Sequence, residues 1–113
     1  MIDQIRPREL ADWLTRHQGD KKAVVLDVRE PGELRTASVS ANGFTLLAIP
    51  MGSVPIRLTE LDPETPIACL CHHGGRSMQV ASFLRGRGFS CVANIAGGIN
   101  AWADELDASI PRY

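Results

Sequence analysis

The sequence predicts an α/β domain built on a mostly parallel sheet. Short apolar runs alternate with amphipathic segments, and the connections between them are brief, which is the pattern of strands joined by crossover helices. The chain has 113 residues, of which 44% are apolar and 22% are charged. Because that length and composition are typical of one globular domain, we expect a single domain over residues 1–113.

The first half of the chain contains one predicted helix and two predicted strands. A helix is expected over residues 7–19, with an inward stripe at helical spacing formed by Leu10, Trp13, Leu14 and His17. Residues 23–26 are a continuous apolar run, as expected for a strand covered on both faces, and residues 44–49 predict a second strand. Residues 33–37 are long enough for one helical turn.

The second half of the chain repeats the alternation around Cys71. A short helix is predicted over residues 54–61, followed by an apolar strand over residues 67–70 and a helix over residues 77–87. A strand over residues 91–95 precedes a last helix, whose inward stripe comprises Ile99, Trp102, Ala103 and Leu106. Ligands of open parallel sheets bind beyond the carboxyl ends of the strands, and Cys71 follows such an end.

The charge balance and the cysteine count exclude several classes of function. Twelve Lys and Arg residues stand against thirteen Asp and Glu residues, so the formal net charge is -1 and we expect neither a nucleic-acid nor a membrane partner. The start at Met1–Gln4 is too polar for a signal peptide, which predicts a cytoplasmic protein. Three cysteines are an odd number, which favours a reactive thiol over a disulfide framework.

The segment Cys71-His72-His73-Gly74-Gly75-Arg76-Ser77 is the candidate active site. Two glycines allow successive N–H groups to point into one concavity, and the helix that follows adds the positive end of its dipole. Arg76 adds a fixed positive charge beside them. We expect Cys71 to be the nucleophile and the other six residues to hold a substrate. The alternative is a buried structural cysteine before a glycine turn.

Other side chains near this loop are expected to support it. Asp27 and Arg29 follow a predicted strand, and we interpret them as an ion pair that supports the loop rather than as an acid and a base. Cys69 and Cys91 lie in apolar runs and are expected to be inert, with a resolving role for Cys69 as the alternative. The spacing of Cys69, Cys71 and the two histidines does not match a zinc site, so we predict no metal.

The chain resembles the rhodanese-like domain family of sulfurtransferases over nearly its whole length. Residues 25–34, with the run Asp27-Val28-Arg29-Glu30, look like the family's Asp-Val-Arg-Glu segment. Residues 71–77 resemble its Cys-x-x-Gly-x-Arg-Ser loop, and residues 88–102 are similar to its closing Gly-Phe and Gly-Gly-x-x-x-Trp pattern. The stretch 37–42 departs from the family's Gly-His-Ile-x-Gly-Ala pattern and lacks its histidine.

The resemblance implies a three-layer fold in which a central, mostly parallel sheet is flanked by helices on both faces. It also implies a thiosulfate sulfurtransferase that needs no cofactor. Cys71 would take a sulfane sulfur from thiosulfate or a persulfide donor, become a persulfide, and pass the sulfur to cyanide or to a thiol, including a protein thiol.

Two other functions remain open beside this one. A persulfide-relay or redox-sensing interaction module would keep the fold without turnover, although binding modules of that kind are expected to lose the cysteine and this chain retains it. A phosphatase or arsenate reductase is less favoured. The span from Cys71 to Arg76 has the six-residue length of the sulfurtransferase loop, and related phosphatases have one residue more.

Overall fold

The computed structural model describes residues 2–113, which form one sheet and four α-helices. The strands are β1 Asp3–Ile5, β2 Val24–Asp27, β3 Thr45–Ala48, β4 Ile67–Leu70 and β5 Val92–Ile95. The helices are α1 Leu10–His17, α2 Pro31–Thr36, α3 Gly75–Gly86 and α4 Gly98–Glu105. The strand order is β1-β5-β4-β2-β3, and every neighbouring pair is parallel.

The three central strands are buried at every position, whereas the two edge strands are partly exposed. This difference explains which strands read as continuous apolar runs, because a strand covered on both faces alternates between two apolar environments. Val25 and Leu26 show the alternation: Val25 packs on one face of the sheet and Leu26 on the other.

Helices cover both faces, and each face has its own apolar core. One face packs against α1 and α4, whose buried side chains include Trp13 and Trp102. The opposite face packs against α3 through Val80 and Leu84, and Cys71 belongs to this second cluster. A fully buried apolar side chain such as that of Val80 or Leu84 stabilises the fold by roughly 1.5–3 kcal/mol relative to an exposed one. The predicted three-layer α/β architecture is confirmed.

Several predicted elements differ in detail from the structure. Strand β1 was not predicted, because Asp3 and Gln4 are polar and exposed at the sheet edge. Residues 7–9 form a 3-10 turn before α1, and two 3-10 turns at 51–53 and 58–60 replace the helix predicted over 54–61.

Two predicted inward positions are also wrong. His17 is exposed and rests on the Trp13 ring with centroids 4.9 Å apart, while Leu106 follows the end of α4 and is 50% exposed. His17 is the last residue of α1 and Leu106 directly follows α4, and neither side chain is buried against the sheet. No helix among residues 2–113 is long and apolar enough to span a bilayer.

Candidate active site

Cys71 lies one residue beyond the end of β4, at the carboxyl edge of the sheet. It is 1% exposed, and its Sγ accepts hydrogen bonds from the Gly74 N–H at 3.0 Å and from the Ser77 hydroxyl at 3.2 Å. Two donors aimed at one sulfur stabilise negative charge there, which is the charge of a thiolate that attacks or leaves. The structure therefore brings Gly74 and Ser77, two of the expected substrate-binding residues, to the Cys71 sulfur.

Gly74 makes the tight turn from β4 into α3 possible. It adopts a φ of +109°, in the left-handed region, and occupies the position before the first residue of α3. A Cβ at Gly74 would lie 3.2 Å from the backbone nitrogen of Gly97, so a larger residue would be strained in conformation and crowded in space. Gly75 is exposed and begins α3, so the N–H groups of the first turn of the helix follow directly after this turn.

The N-terminus of α4 holds the carbonyl groups of this loop. The Ile99 N–H donates to the Cys71 carbonyl at 2.8 Å, and the Asn100 N–H donates to the His72 carbonyl at 3.2 Å. Gly98, the residue before Ile99, has a φ of +60°, and a Cβ there would overlap the carbonyl oxygens of Cys71 and His72. Gly97 and Gly98, at the start of α4, therefore allow a close approach of two backbone segments, which fixes the position of the Cys71 loop.

Arg76 is paired with Glu33 of α2 through both terminal nitrogens, at 2.6 and 2.8 Å. The two side chains are 33% and 20% exposed, respectively. The hydrogen bonds from Arg76 lower the pKa of Glu33 to about 2. Arg76 thus belongs to the loop but shares its charge with the carboxylate of Glu33, a partner that the sequence analysis did not identify.

Tyr113 contacts Glu33 through its hydroxyl and His72 through its ring. Its hydroxyl donates to Glu33 at 2.8 Å and accepts from Arg29 at 3.0 Å. Its ring stacks on His72 with centroids 3.9 Å apart and planes 9° apart, and His73 stacks on His72 at 3.8 Å. Two rings at this distance cannot share one face, so His72 is enclosed between them.

The enclosure affects the charge of His72. Burial, together with the neighbouring His73, lowers the pKa of His72 below its usual range, so its ring is neutral at pH 7. His73 is exposed. The two histidines therefore form one wall of the site, and His72 adds no positive charge to it.

Asp27 and Arg29 form a buried ion pair at the carboxyl end of β2. Arg29 donates to the Asp27 carboxylate through Nε at 2.9 Å and through Nη2 at 2.7 Å. The Arg29 side chain is 0% exposed and the Asp27 side chain is 2% exposed. Because two guanidinium nitrogens donate to the carboxylate, each charge is compensated by the other although both side chains are buried. Arg29 also reaches the Glu33 carbonyl and Tyr113, which connects the pair to the Arg76 contact.

The other two cysteines are in different surroundings. Cys69 is buried within β4, and burial raises the pKa of its thiol to about 12. Cys91 is half-buried before β5, and burial raises its pKa as well. Both thiols are protonated near neutral pH, a state in which sulfur is a poor nucleophile. Within residues 2–113, no group of three or more Cys, His, Asp or Glu side chains could hold a metal ion.

The described geometry coincides with a known family of domains. A family model described as a rhodanese-like domain matches residues 10–105, a range that includes the Cys71 loop, the Asp27–Arg29 pair and the two glycines at the start of α4. The chain belongs to the rhodanese-like domain family. The predicted resemblance is confirmed over most of the chain.

Similar proteins extend this assignment. The rhodanese-like domain is 43% identical over 94 residues to the Rhodanese-like/PpiC domain-containing protein 12, chloroplastic, of Arabidopsis thaliana, covering 81% of this chain. It spans only 31% of that relative's length. It is 33% identical over 103 residues to a sulfurtransferase of Allochromatium vinosum, covering 91% of this chain and 90% of that protein.

A solved structure shows the same architecture. The rhodanese-related protein of Thermoplasma volcanium superposes with a TM-score of 0.75 at 28% identity, covering 92% of this chain and 93% of that one. The two chains therefore share one fold over nearly the whole length of each.

Four residues around the loop were not identified as site residues from the sequence: Glu33, Asn94, Gly98 and Tyr113. Glu33 and Gly98 lie within the motifs that carried the family resemblance, so a signal for them was present. Asn94 interrupts the apolar run of β5, and a polar residue in a fully buried strand is a signal that a buried partner exists. No pattern pointed to Tyr113.

Proposed function

We propose that this rhodanese-like domain is a sulfurtransferase that carries a sulfane sulfur on Cys71 as a persulfide. The observation that supports this most directly is the pair of hydrogen-bond donors, Gly74 N–H and Ser77 hydroxyl, on the Cys71 sulfur. The donor is thiosulfate or a persulfide, and the acceptor is cyanide or a thiol, which includes the thiol of another protein.

In the loading step, the Cys71 thiolate attacks the outer sulfur of thiosulfate. A bond forms between Sγ and that sulfur, the sulfur–sulfur bond of thiosulfate breaks, and sulfite leaves with the electron pair. No proton is transferred at sulfur, so no general base is needed. The negative charge moves from Sγ to the outer sulfur of the persulfide, toward the N-terminus of α3 and its free N–H groups.

In the discharge step, a nucleophilic acceptor attacks the outer sulfur and Cys71 leaves as a thiolate. The hydrogen bonds from Gly74 and Ser77 stabilise this leaving group as they stabilise the attacking thiolate. We assign Arg76 to the attraction of the anionic donor, together with the N–H groups of the loop. The buried Asp27–Arg29 pair and the stacked His72 hold the surroundings of the loop in place.

The phosphatase alternative fits the loop less well. Cys71 is 1% exposed and its sulfur is already 3.0 Å from the Gly74 nitrogen, so the turn closes tightly around Sγ. A persulfide adds only one atom to this sulfur. A tetrahedral phosphate ester needs donors spread around three oxygens, which a longer loop provides.

The test is the intact mass of the protein before and after incubation with thiosulfate. We expect the mass of one sulfur atom to be added at Cys71, located by peptide mapping, and to be removed by cyanide or a reducing thiol. Cys71→Ser abolishes the addition because a hydroxyl is a far poorer nucleophile near neutral pH. Cys69→Ser is the matched control, since that thiol is buried in β4 two residues before Cys71, and its replacement should leave the addition unchanged.

Two results would contradict the proposal. One is full transfer of sulfur from thiosulfate to cyanide by Cys71→Ser. The other is the absence of added mass combined with cleavage of an aryl phosphate that depends on Cys71. A persulfide that forms on Cys71 but does not turn over with cyanide or small thiols would instead identify the relay module as the function.

A further inference from the structure

A chain of buried polar side chains leads away from the Cys71 sulfur into the sheet. Ser77 lies 3.2 Å from the sulfur, and its hydroxyl oxygen also lies 2.5 Å from Oδ1 of Asn94. Asn94 belongs to β5, the strand beside β4, and Ser77 and Asn94 are 0% and 3% exposed. The proposed function uses Ser77 and leaves Asn94 without a role.

The orientation of the Asn94 amide is set by its other partners. Its Nδ2 lies 3.2 Å from the Gly74 carbonyl and 3.0 Å from Oε1 of Gln4. Because a carbonyl oxygen can only accept, the amide nitrogen must face Gly74, and the amide oxygen must face Ser77. Asn94 therefore faces Ser77 with its acceptor oxygen and offers the Ser77 hydroxyl no donor.

Ser77 cannot satisfy both of its acceptors at once. A hydroxyl has one proton to donate, and here it has two possible recipients, the Cys71 sulfur and the Asn94 oxygen. A thiolate attracts the proton strongly because it is charged, whereas a neutral thiol or a sulfur in a disulfide-type bond is a weak acceptor. The proton should move to Asn94 whenever Sγ is neutral.

We propose that Asn94 is a positioning residue that controls the reactivity of Cys71 by competing for the Ser77 proton. The inference rests on the proposed sulfurtransferase function, in which the negative charge alternates between Sγ and the outer sulfur of a persulfide. Ser77 donates to Sγ in the thiolate states and to Asn94 in the thiol and persulfide states. Asn94 thereby stabilises the states in which Sγ is neutral and opposes the free thiolate.

The experiment is a double-mutant cycle on the pH at which Cys71 becomes reactive. The rate of alkylation of Cys71 by iodoacetamide, located by peptide mass spectrometry, is measured against pH in the wild type, Asn94→Leu, Ser77→Ala and the double variant. Leu has the same number of side-chain heavy atoms as Asn, branched at the same carbon, and lacks both polar atoms. The Gly74 carbonyl keeps one donor in this variant, because it also accepts from the Met78 N–H at 3.2 Å.

Asn94→Leu should lower the pH midpoint of alkylation, because the Ser77 proton then has no recipient other than sulfur. Loss of one competing hydrogen bond corresponds to roughly a fivefold change in the thiol–thiolate ratio, or about 0.7 pH. Ser77→Ala should raise the midpoint. In the Ser77→Ala background, Asn94→Leu should have no effect, since the group through which it acts is gone.

Other titratable groups around the Cys71 loop do not produce this pattern. They come from the loop, from β4, from α2 and from the residue stacked above, and they are His72, His73, Arg76, Cys69, Glu33 and Tyr113. All of them are present in both backgrounds, so their contribution cancels in the cycle. Asn42→Leu, at an exposed position before β3, controls for the loss of an amide elsewhere.

Three results would overturn the proposal: an equal displacement of the midpoint in both backgrounds, no displacement when Ser77 is present, or an upward one. If Asn94→Leu does not fold, Asn94→Ala removes the same amide without added apolar volume and answers the same question. Alkylation involves no sulfur donor, so the cycle is independent of whether thiosulfate loads Cys71. A failure of the sulfurtransferase proposal and a failure of this one are therefore separately visible.

Discussion

Replacing Glu33 by glutamine separates the charge of the Glu33–Arg76 contact from its shape. Glutamine has nearly the volume of glutamate but cannot form the two charge-assisted hydrogen bonds that Glu33 receives from Arg76 at 2.6 and 2.8 Å. The variant should fold, because the amide oxygen can replace Oε1 and still accept from the Glu30 N–H, while the amide NH2 can donate to the Tyr113 hydroxyl oxygen. We expect Glu33→Gln to lower the free energy of unfolding at neutral pH.

The magnitude follows from the pKa of Glu33. Hydrogen bonding from Arg76 lowers that pKa from 4.5 to about 2 in the folded protein. The full difference corresponds to about 3.4 kcal/mol at 1.36 kcal/mol per pH unit. Because the Glu33 and Arg76 side chains are 20% and 33% exposed, water screens part of this interaction. We therefore expect a loss of about 1–2 kcal/mol at pH 7.

The dependence on pH has a definite sign. A carboxylate whose folded pKa is lowered stabilises the fold above its unfolded pKa, and this stabilisation is lost as the pH falls through the folded pKa. For Glu33, the stabilisation is complete above about pH 5 and declines between pH 4.5 and about 2. The difference between wild type and Glu33→Gln should shrink over that range.

The assay is urea unfolding followed by circular dichroism at a series of pH values from 7 to 2.5. The matched control is Glu60→Gln, which breaks a second Arg–Glu contact, with Arg57 at 2.8 Å, that lies at the surface. We expect little change there, since exposed pairs contribute little. Equal losses in the two variants, or a Glu33→Gln loss that is the same at pH 7 and pH 2.5, would refute the reasoning.

Two further predictions concern the loop itself. Gly98→Ala should destabilise the domain by at least about 1–2 kcal/mol in urea unfolding, because a left-handed alanine is strained and its Cβ would overlap two loop carbonyls. Gly19→Ala, which meets nothing within 4 Å, should stay close to wild type, and a similar loss in both variants would contradict this account. Arg76→Ala should lower kcat/KM for thiosulfate by about ten- to a hundredfold in a sulfite-release assay, through the loss of one charge-assisted contact. Unchanged kinetics in that variant would assign Arg76 a purely structural role beside Glu33.

Much of the fold was predictable because its signals are local. Strands β2, β4 and β5 are covered on both faces, so each is a short and mostly apolar run that can be recognised without knowledge of its neighbours. Cys71 was identified for a similar reason: it directly follows such a run and precedes two glycines and a helix. These features depend on residues a few positions apart.

Strand β1 shows where local signals end. Asp3 and Gln4 are exposed at the edge of the sheet, and β1 has only three residues and one neighbour, β5. Nothing in a short polar segment marks it as a strand. Its pairing depends on β5, which lies about ninety positions further along the chain and presents a free edge only when the sheet has formed.

Local patterns are thus sufficient for the α/β class, for the position of Cys71 at the carboxyl edge of the sheet and for the turn that surrounds it, because each arises from the conformational preferences of adjacent residues. The partners of the loop were decided by tertiary structure. Glu33 meets Arg76 across 43 positions and Tyr113 across 80, and Asn94 meets Ser77 across 17. Such contacts arise from the order in which parallel strands pair, since that order brings the carboxyl ends of β2, β4 and β5 to one edge of the sheet.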